Sequence, residues 1–171
     1  PERGELVFEY FQDGDERLEV PYSSIARFRT FNEILIEEAN QWIGMKEYSK
    51  AFRNLFRVYN LGGKDDPAMV ASMMNCLFLD GKKNFELGEY ELALSIFEDL
   101  YEKDSSFNVP GFNVPLISIV MSCHNGMIDR RFQVEDYIGV RQQLGSLVDK
   151  YGEKANQLKT EWTAKFLQRS D

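Results

Sequence analysis

The stretch LGEYELALSIFEDLYEKDS, residues 87–105, limits the fold more than any other part of the chain. Gly88 and Tyr90 precede a small residue, Ala93, with Phe97 four positions further on and Asp104 at the end. A lone amphipathic helix needs only apolar residues at three- and four-residue steps. A small residue in the middle of that face predicts a second helix pressed against it. Gly81 upstream supplies the matching small position, and Gly88 makes the turn between the two helices. Phe97 then fills the gap towards a further pair. A helical hairpin of this kind cannot bury its apolar face alone, so hairpins stack.

The same period runs through most of the chain. From Ser23 onward Phe28, Phe31, Leu35, Ala39 and Trp42 mark one helical face. After a break near Gly44, Tyr48, Ala51, Phe52, Leu55, Phe56 and Tyr59 mark a second, and Leu61-Gly62-Gly63 stops it. Asp66-Pro67 opens a third helix with an N-cap and a proline at its first position. Tyr90 to Lys103 forms the fourth. FNVPGFNVP, residues 107–115, repeats FNVP around Gly111, and its prolines predict a loop with two aromatic anchors. LISIVMSCHNGM is dense in Ile and Val and would suit a strand by composition. Its helical neighbours favour a buried fifth helix opening at Asn113 and Pro115. Gln133 to Lys150 makes a sixth, and 151–169 a seventh with Ala155, Leu158, Trp162 and Phe166 on one face.

Residues 5–22 read differently. Leu6, Phe8 and Tyr10 alternate, as do Leu18, Val20 and Tyr22, with Asp13-Gly14 between the runs. That is a hairpin signal, with Pro21 confining the second run to an edge. An extended arm, or a leader that orders only on a partner, is the alternative. The expected organisation is an arm over 1–24 and a helical domain over 25–171.

Aligning Ala93 with Ala51 brings Leu35, Ala39, Trp42, Tyr48 and Leu55 onto Leu77, Gly81, Asn84, Tyr90 and Phe97. This pattern resembles the tetratricopeptide repeat (TPR). Residues 74–107 carry Leu77, Gly81, Gly88, Tyr90, Ala93, Phe97 and Asp104 in family slots, although Ser105 replaces the usual proline and Asn84 an aromatic. Residues 32–65 keep Trp42 and Ala51. The two repeats lie about 42 residues apart instead of the family's 34, the excess falling in the GKDDPAMV region. Residues 113–148 give a degenerate third copy, with Tyr137, Val140, Leu144 and Leu147 on the second helix, and 151–169 a capping helix. The resemblance implies a mostly α fold: a TPR-like superhelix of about three antiparallel pairs, preceded by the short β-hairpin or extended arm.

It also implies a concave groove lined by first helices. Glu33, Ile36, Asn40 and Ile43 would line it in the first repeat, and Asn75, Phe78, Lys82 and Phe85 in the second. Phe78 and Phe85 suit core positions equally well. One TPR subclass grips C-terminal carboxylates with a clamp of Lys, Asn and Arg. Asn40 occupies one clamp slot here, but Ile36 and Leu79 stand in others, so that clamp is incomplete. The function implied is a non-enzymatic adaptor or scaffold holding a peptide or helix of a partner protein. A small acidic secretion-type chaperone, or an assembly subunit that uses the N-terminal arm to dimerise, are the alternatives.

Composition agrees with a binding role. The 171 residues carry a net charge of −8, which repels phosphate backbones and disfavours nucleic acid. Residues 1–19 hold seven acids and two arginines. Residues 27–57 tip the other way, with Arg27, Arg29, Lys46, Lys50, Arg53 and Arg57 against four glutamates, a basic patch or solvated helix faces. No apolar run is long enough to span a bilayer, and no signal peptide is visible. Cys76 and Cys123 lie in apolar stretches far apart, as expected of reduced thiols in a cytoplasmic protein. The single histidine, His124, adjoins Cys123, but neighbours on a helix diverge by about 100°, so a nucleophile pair is not expected. No phosphate-loop, zinc or calcium motif is present, and neither an enzyme nor a cofactor is expected.

Overall fold

The computed structural model describes residues 5–9, 17–21, 29–62, 64, 66–107 and 114–168. It is a mostly helical bundle of paired helices in a repeat-like arrangement. This corrects the expected fold class, a TPR-like superhelix carrying an N-terminal β-hairpin. Two short segments, β1 (Glu5–Glu9) and β2 (Arg17–Pro21), run antiparallel with Leu6 opposite Val20. Neither makes a substantial contact with a helix, and every buried side chain described lies in the helical part. A single two-stranded ribbon is marginally stable in water and does not add a β layer to the helical fold. Asp13 and Gly14 lie outside the described residues.

The helices are α1 (Phe31–Gly44), α2 (Tyr48–Asn60), α3 (Pro67–Glu86), α4 (Tyr90–Lys103), α5 (Leu116–Gln133), α6 (Tyr137–Tyr151) and α7 (Asn156–Gln168). A 3₁₀ turn, Gly152–Ala155, joins α6 to α7. Helix α1 starts later than Ser23 because Thr30 and Glu33 form a reciprocal capping box. Phe28 lies outside the described residues. Asp66 caps α3 through Ala68 N–H, with Pro67 in its first position. The Ile/Val-rich run is helical, since Leu116, Val120 and Cys123 share one buried face.

Three helical hairpins, α1–α2, α3–α4 and α5–α6, share one turn geometry. Lys46, Gly88 and Glu135 each adopt positive φ, at 60°, 78° and 62°. In each turn the next N–H reaches back five residues: Glu47 to Trp42 O, Glu89 to Asn84 O and Asp136 to Arg131 O, at 2.8, 2.8 and 2.9 Å. Only the second turn carries glycine, the residue that enters this conformation without steric cost. The third turn also explains why α6 begins at Tyr137 and not at Gln133. Asp136 then caps it by accepting from Gly139 N–H at 2.9 Å.

The turns set the register of the core. Ala51, Ala93 and Val140 are equivalent and buried, as are Leu55, Phe97 and Leu144, and Val58, Leu100 and Leu147. The first-helix crossing positions are Ala39, Gly81 and Ile128. A regular superhelix needs the same step between successive pairs. Here the spacing changes from pair to pair, and the small crossing residues of the first two give way to Ile128 and Val140 in the third. Close approach there moves to Gly126, where an added Cβ would sit 2.4 Å from the Tyr90 ring.

Each core is completed by the helix that follows. Met69 and Cys76 of α3 close the first, Leu116, Val120 and Cys123 of α5 the second, and Leu158 and Trp162 of α7 the third. Polar ties repeat with the same register. Lys83 Nζ donates to Lys46 O at 3.0 Å, and the equivalent Arg130 guanidinium donates to Gly88 O. Among the described residues no helix is long and apolar enough to cross a membrane.

Candidate functional site

The groove residues expected on α1 and α3 fall in different environments. Phe78 is 2% exposed and packs on Phe97 and Phe107, with ring centroids 5.6 and 6.3 Å away. It belongs to the second core. Phe85 is half-buried with its ring edge-on to Tyr90 at 5.4 Å. Ile36 and Ile43 pack partly buried against the first core, Asn40 is exposed, and Asn75 is half-buried. Lys82 pairs with Glu86 one turn on, and Glu33 is engaged in the Thr30 capping box. None of them lines either of the two depressions below.

The larger depression is a cleft of about 510 Å³ between α5 and α7. Ile117, Ser118, Met121, Ser122 and Asn125 come from α5, facing Lys154, Gln157, Leu158 and Glu161. Ser122 and Asn125 hold the register positions that Asn75 and Phe78 hold in the preceding pair. The depression therefore lies on the corresponding face, one repeat later. It opens because α7 follows the 3₁₀ turn and lies against the third pair, anchored by Trp162. The Trp162 indole N–H donates to Asn125 Oδ1 at 2.8 Å. Gln157 donates to Glu161 Oε1 at 2.9 Å, and the Ser122 hydroxyl to Ser118 O at 2.9 Å.

No family model, curated protein or solved structure matches the chain. The chemistry therefore rests on its own residues.

A smaller hollow of about 220 Å³, sharing Lys154, is lined by Glu98, Tyr101, Glu102, Lys150 and Tyr151. Behind it lies His124, at the register position filled by Leu35 and Leu77 in the first two pairs. Its side chain is 12% exposed, and both ring nitrogens are buried without a hydrogen-bond partner. Nε2 stands 3.7 Å from Glu98 Oε1, too long for a hydrogen bond. The Tyr151 hydroxyl donates to the same carboxylate, and Lys150 Nζ lies 2.8 Å from it. Burial would raise the Glu98 carboxyl, but the hydrogen bonds from Lys150 and Tyr151 outweigh it and hold the group low. Burial pushes the Tyr151 phenol up, aided by its bond to Glu98, and pushes the Cys123 thiol up to about 12. Neither is a ready nucleophile at neutral pH.

His124 carries a pH prediction. Burial lowers its proton affinity, against the opposing pull of Glu98. The unfolded chain then binds a proton near pH 6.5 that the folded chain resists, so stability falls as pH drops below about 6.5. The low Glu98 value adds a second loss below about pH 4.5, where the unfolded carboxylate protonates first. Replacing His124 by Leu, the residue of the two equivalent positions, removes two unsatisfied nitrogens. It is expected to raise stability at pH 7 by about 1–3 kcal/mol. It should also flatten the fall between pH 7 and 5 in urea unfolding followed by circular dichroism. A wild-type slope retained in His124→Leu would assign the acid loss elsewhere.

Proposed function

We propose that the chain is a non-enzymatic protein-interaction module and that the α5/α7 cleft holds an extended segment of a partner protein. The observation that carries the reading is the pairing of amide groups across the cleft. Asn125 spends its oxygen on Trp162, which leaves its NH₂ to donate. Gln157 spends its NH₂ on Glu161, which leaves its oxygen to accept. One donor and one acceptor on facing helices suit the C=O and N–H of a peptide backbone. Ile117, Met121 and Leu158 provide apolar contact between them. The turn repeated in all three hairpins supports reading the pairs as tetratricopeptide-like. A cytoplasmic setting fits this reading, with Cys76 and Cys123 buried and unpaired.

A random-peptide display selection against the wild-type protein tests it. Enriched peptides are expected to lose at least about tenfold in affinity, about 1.4 kcal/mol, against Ser122→Tyr, which fills the cleft, and against Gln157→Ala. Both variants should melt as the wild type does. An empty selection would remove the reading. Peptides lost instead on Asn40→Ala or Lys82→Glu would return the site to α1 and α3.

A further inference from the structure

The outer face of α2 departs from the rest of this acidic chain. Its sequence, YSKAFRNLFRVYN, contains no acidic residue, in a protein of net charge −8. Phe52, Phe56 and Tyr59, at steps of four and three, form a ladder of near-parallel rings. Their centroids are 6.0 and 6.2 Å apart, with interplanar angles of 17° and 15°. The ladder borders the buried stripe of Ala51, Leu55 and Val58, and Phe56 at its centre is 46% exposed. On its solvent side, one helical turn apart, stand Arg53 and Arg57, both exposed. Neither makes an ion pair or hydrogen bond with any described residue. Of the other exposed arginines described, Arg29 pairs with Glu37, Arg130 with Glu91 and Arg131 with Asp136, while Arg141 lies over the Phe166 ring.

We propose that this face of α2 is a second docking surface, distinct from the α5/α7 cleft, for an acidic amphipathic helix of a partner protein. The chemistry is complementary on two counts. A stripe of aromatic rings along one helix receives apolar side chains spaced at i, i+3, i+4 and i+7. The two guanidinium groups alongside, which have no acidic partner among the described residues, receive carboxylates flanking that apolar stripe. The net negative charge elsewhere repels the same partner, so encounter is steered to this face and weakens with salt. The aromatic stripe also separates this surface from a simple anion site, which would need no rings.

Two fluorescein-labelled synthetic helices with the same leucine stripe, one flanked by glutamates and the other by lysines, test the proposal by fluorescence anisotropy with the full chain. The glutamate helix is expected to bind at least about tenfold tighter than the lysine helix and to weaken as salt rises. The double variant Arg53→Glu, Arg57→Glu should lose that preference, and Phe56→Ala should weaken both helices. These positions are exposed, so circular dichroism melts should match the wild type. Equal binding of the two helices would overturn the proposal, as would no binding of either. Unchanged binding by the charge-reversed double variant would place the contact elsewhere. A labelled single-stranded oligonucleotide bound in preference to the acidic helix would reassign the ring ladder to base stacking and overturn it as well.

Discussion

Phe97→Ala is expected to cost about 3–5 kcal/mol, the range for removing a fully buried aromatic ring. Phe97 is 1% exposed and stands where two hairpins and the next first helix converge. Its ring packs on Phe78 at 5.6 Å and reaches the backbone of α3 at Gly81. A Cβ built on Gly81 would lie 2.8 Å from Cε1 and 2.9 Å from Cζ of that ring. The two positions are one contact seen from both sides. Gly81→Ala alone should therefore cost about 1–3 kcal/mol by overpacking. In the Phe97→Leu background, where the ring edge is gone, it should cost much less. The measurement is a double-mutant cycle from urea unfolding. Additive losses would show that the two residues do not meet, and the register of α3 on α4 would be wrong.

Trp162→Ala should cost a comparable amount, about 3–5 kcal/mol, with the loss concentrated at one end of the molecule. Trp162 is 1% exposed and packs edge-on against Phe132 at 5.2 Å, with Lys165 Nζ 4.0 Å from its ring centre. Its N–H is the partner of Asn125 in the cleft. Trp162→Phe keeps one ring but loses the hydrogen bond and part of the buried bulk, so a smaller loss of about 1–3 kcal/mol is expected. The chain has two tryptophans, so Trp162→Ala leaves Trp42 as the only indole, a reporter in the first pair. Contacts in a stack of pairs are mostly between neighbours, so the end should loosen first. Helical circular dichroism is expected to begin falling at lower urea than Trp42 fluorescence. Coincident transitions would mean that the three cores unfold as one unit.

Much of the helical architecture could be read from the residues. Asp66-Pro67 starts α3, and the Tyr90–Lys103 helix stands as its periodicity predicts, because caps and apolar periods act within one element. The small residues Ala51, Gly81 and Ala93 are buried at crossings as their size predicts. The third pair was harder to see because its marker residues changed. Glu135 takes the left-handed turn position that Gly88 fills in the second pair, and Ile128 and Val140 fill the small slots. Tyr137 corresponds to Tyr90, and the residue two positions upstream, Glu135 for Gly88, marks the equivalent turn. The pairing of β1 with β2 has no comparable support from the helices, and Asp13-Gly14, the strongest local signal there, lies outside the described residues.

Residue chemistry alone pointed to stacked helical hairpins, one histidine, one acid-free helix among those described and two cysteines outside any CxxC spacing. Tertiary structure decided which faces remain open. Helix α3 is apolar on several sides, and periodicity cannot tell which of them meets α2, α4 or solvent, so Phe78 reads equally as core or groove until α4 and Phe107 are seen against it. The cleft between α5 and α7 follows from the path of the 3₁₀ turn and the seat of Trp162, neither of which is encoded in a local period. His124 becomes a buried, unsatisfied ring only because α4 and α6 close on the position that leucine holds in the other two pairs. Local sequence fixes φ, ψ and periodicity over a few residues, while burial depends on helices brought together from distant parts of the chain.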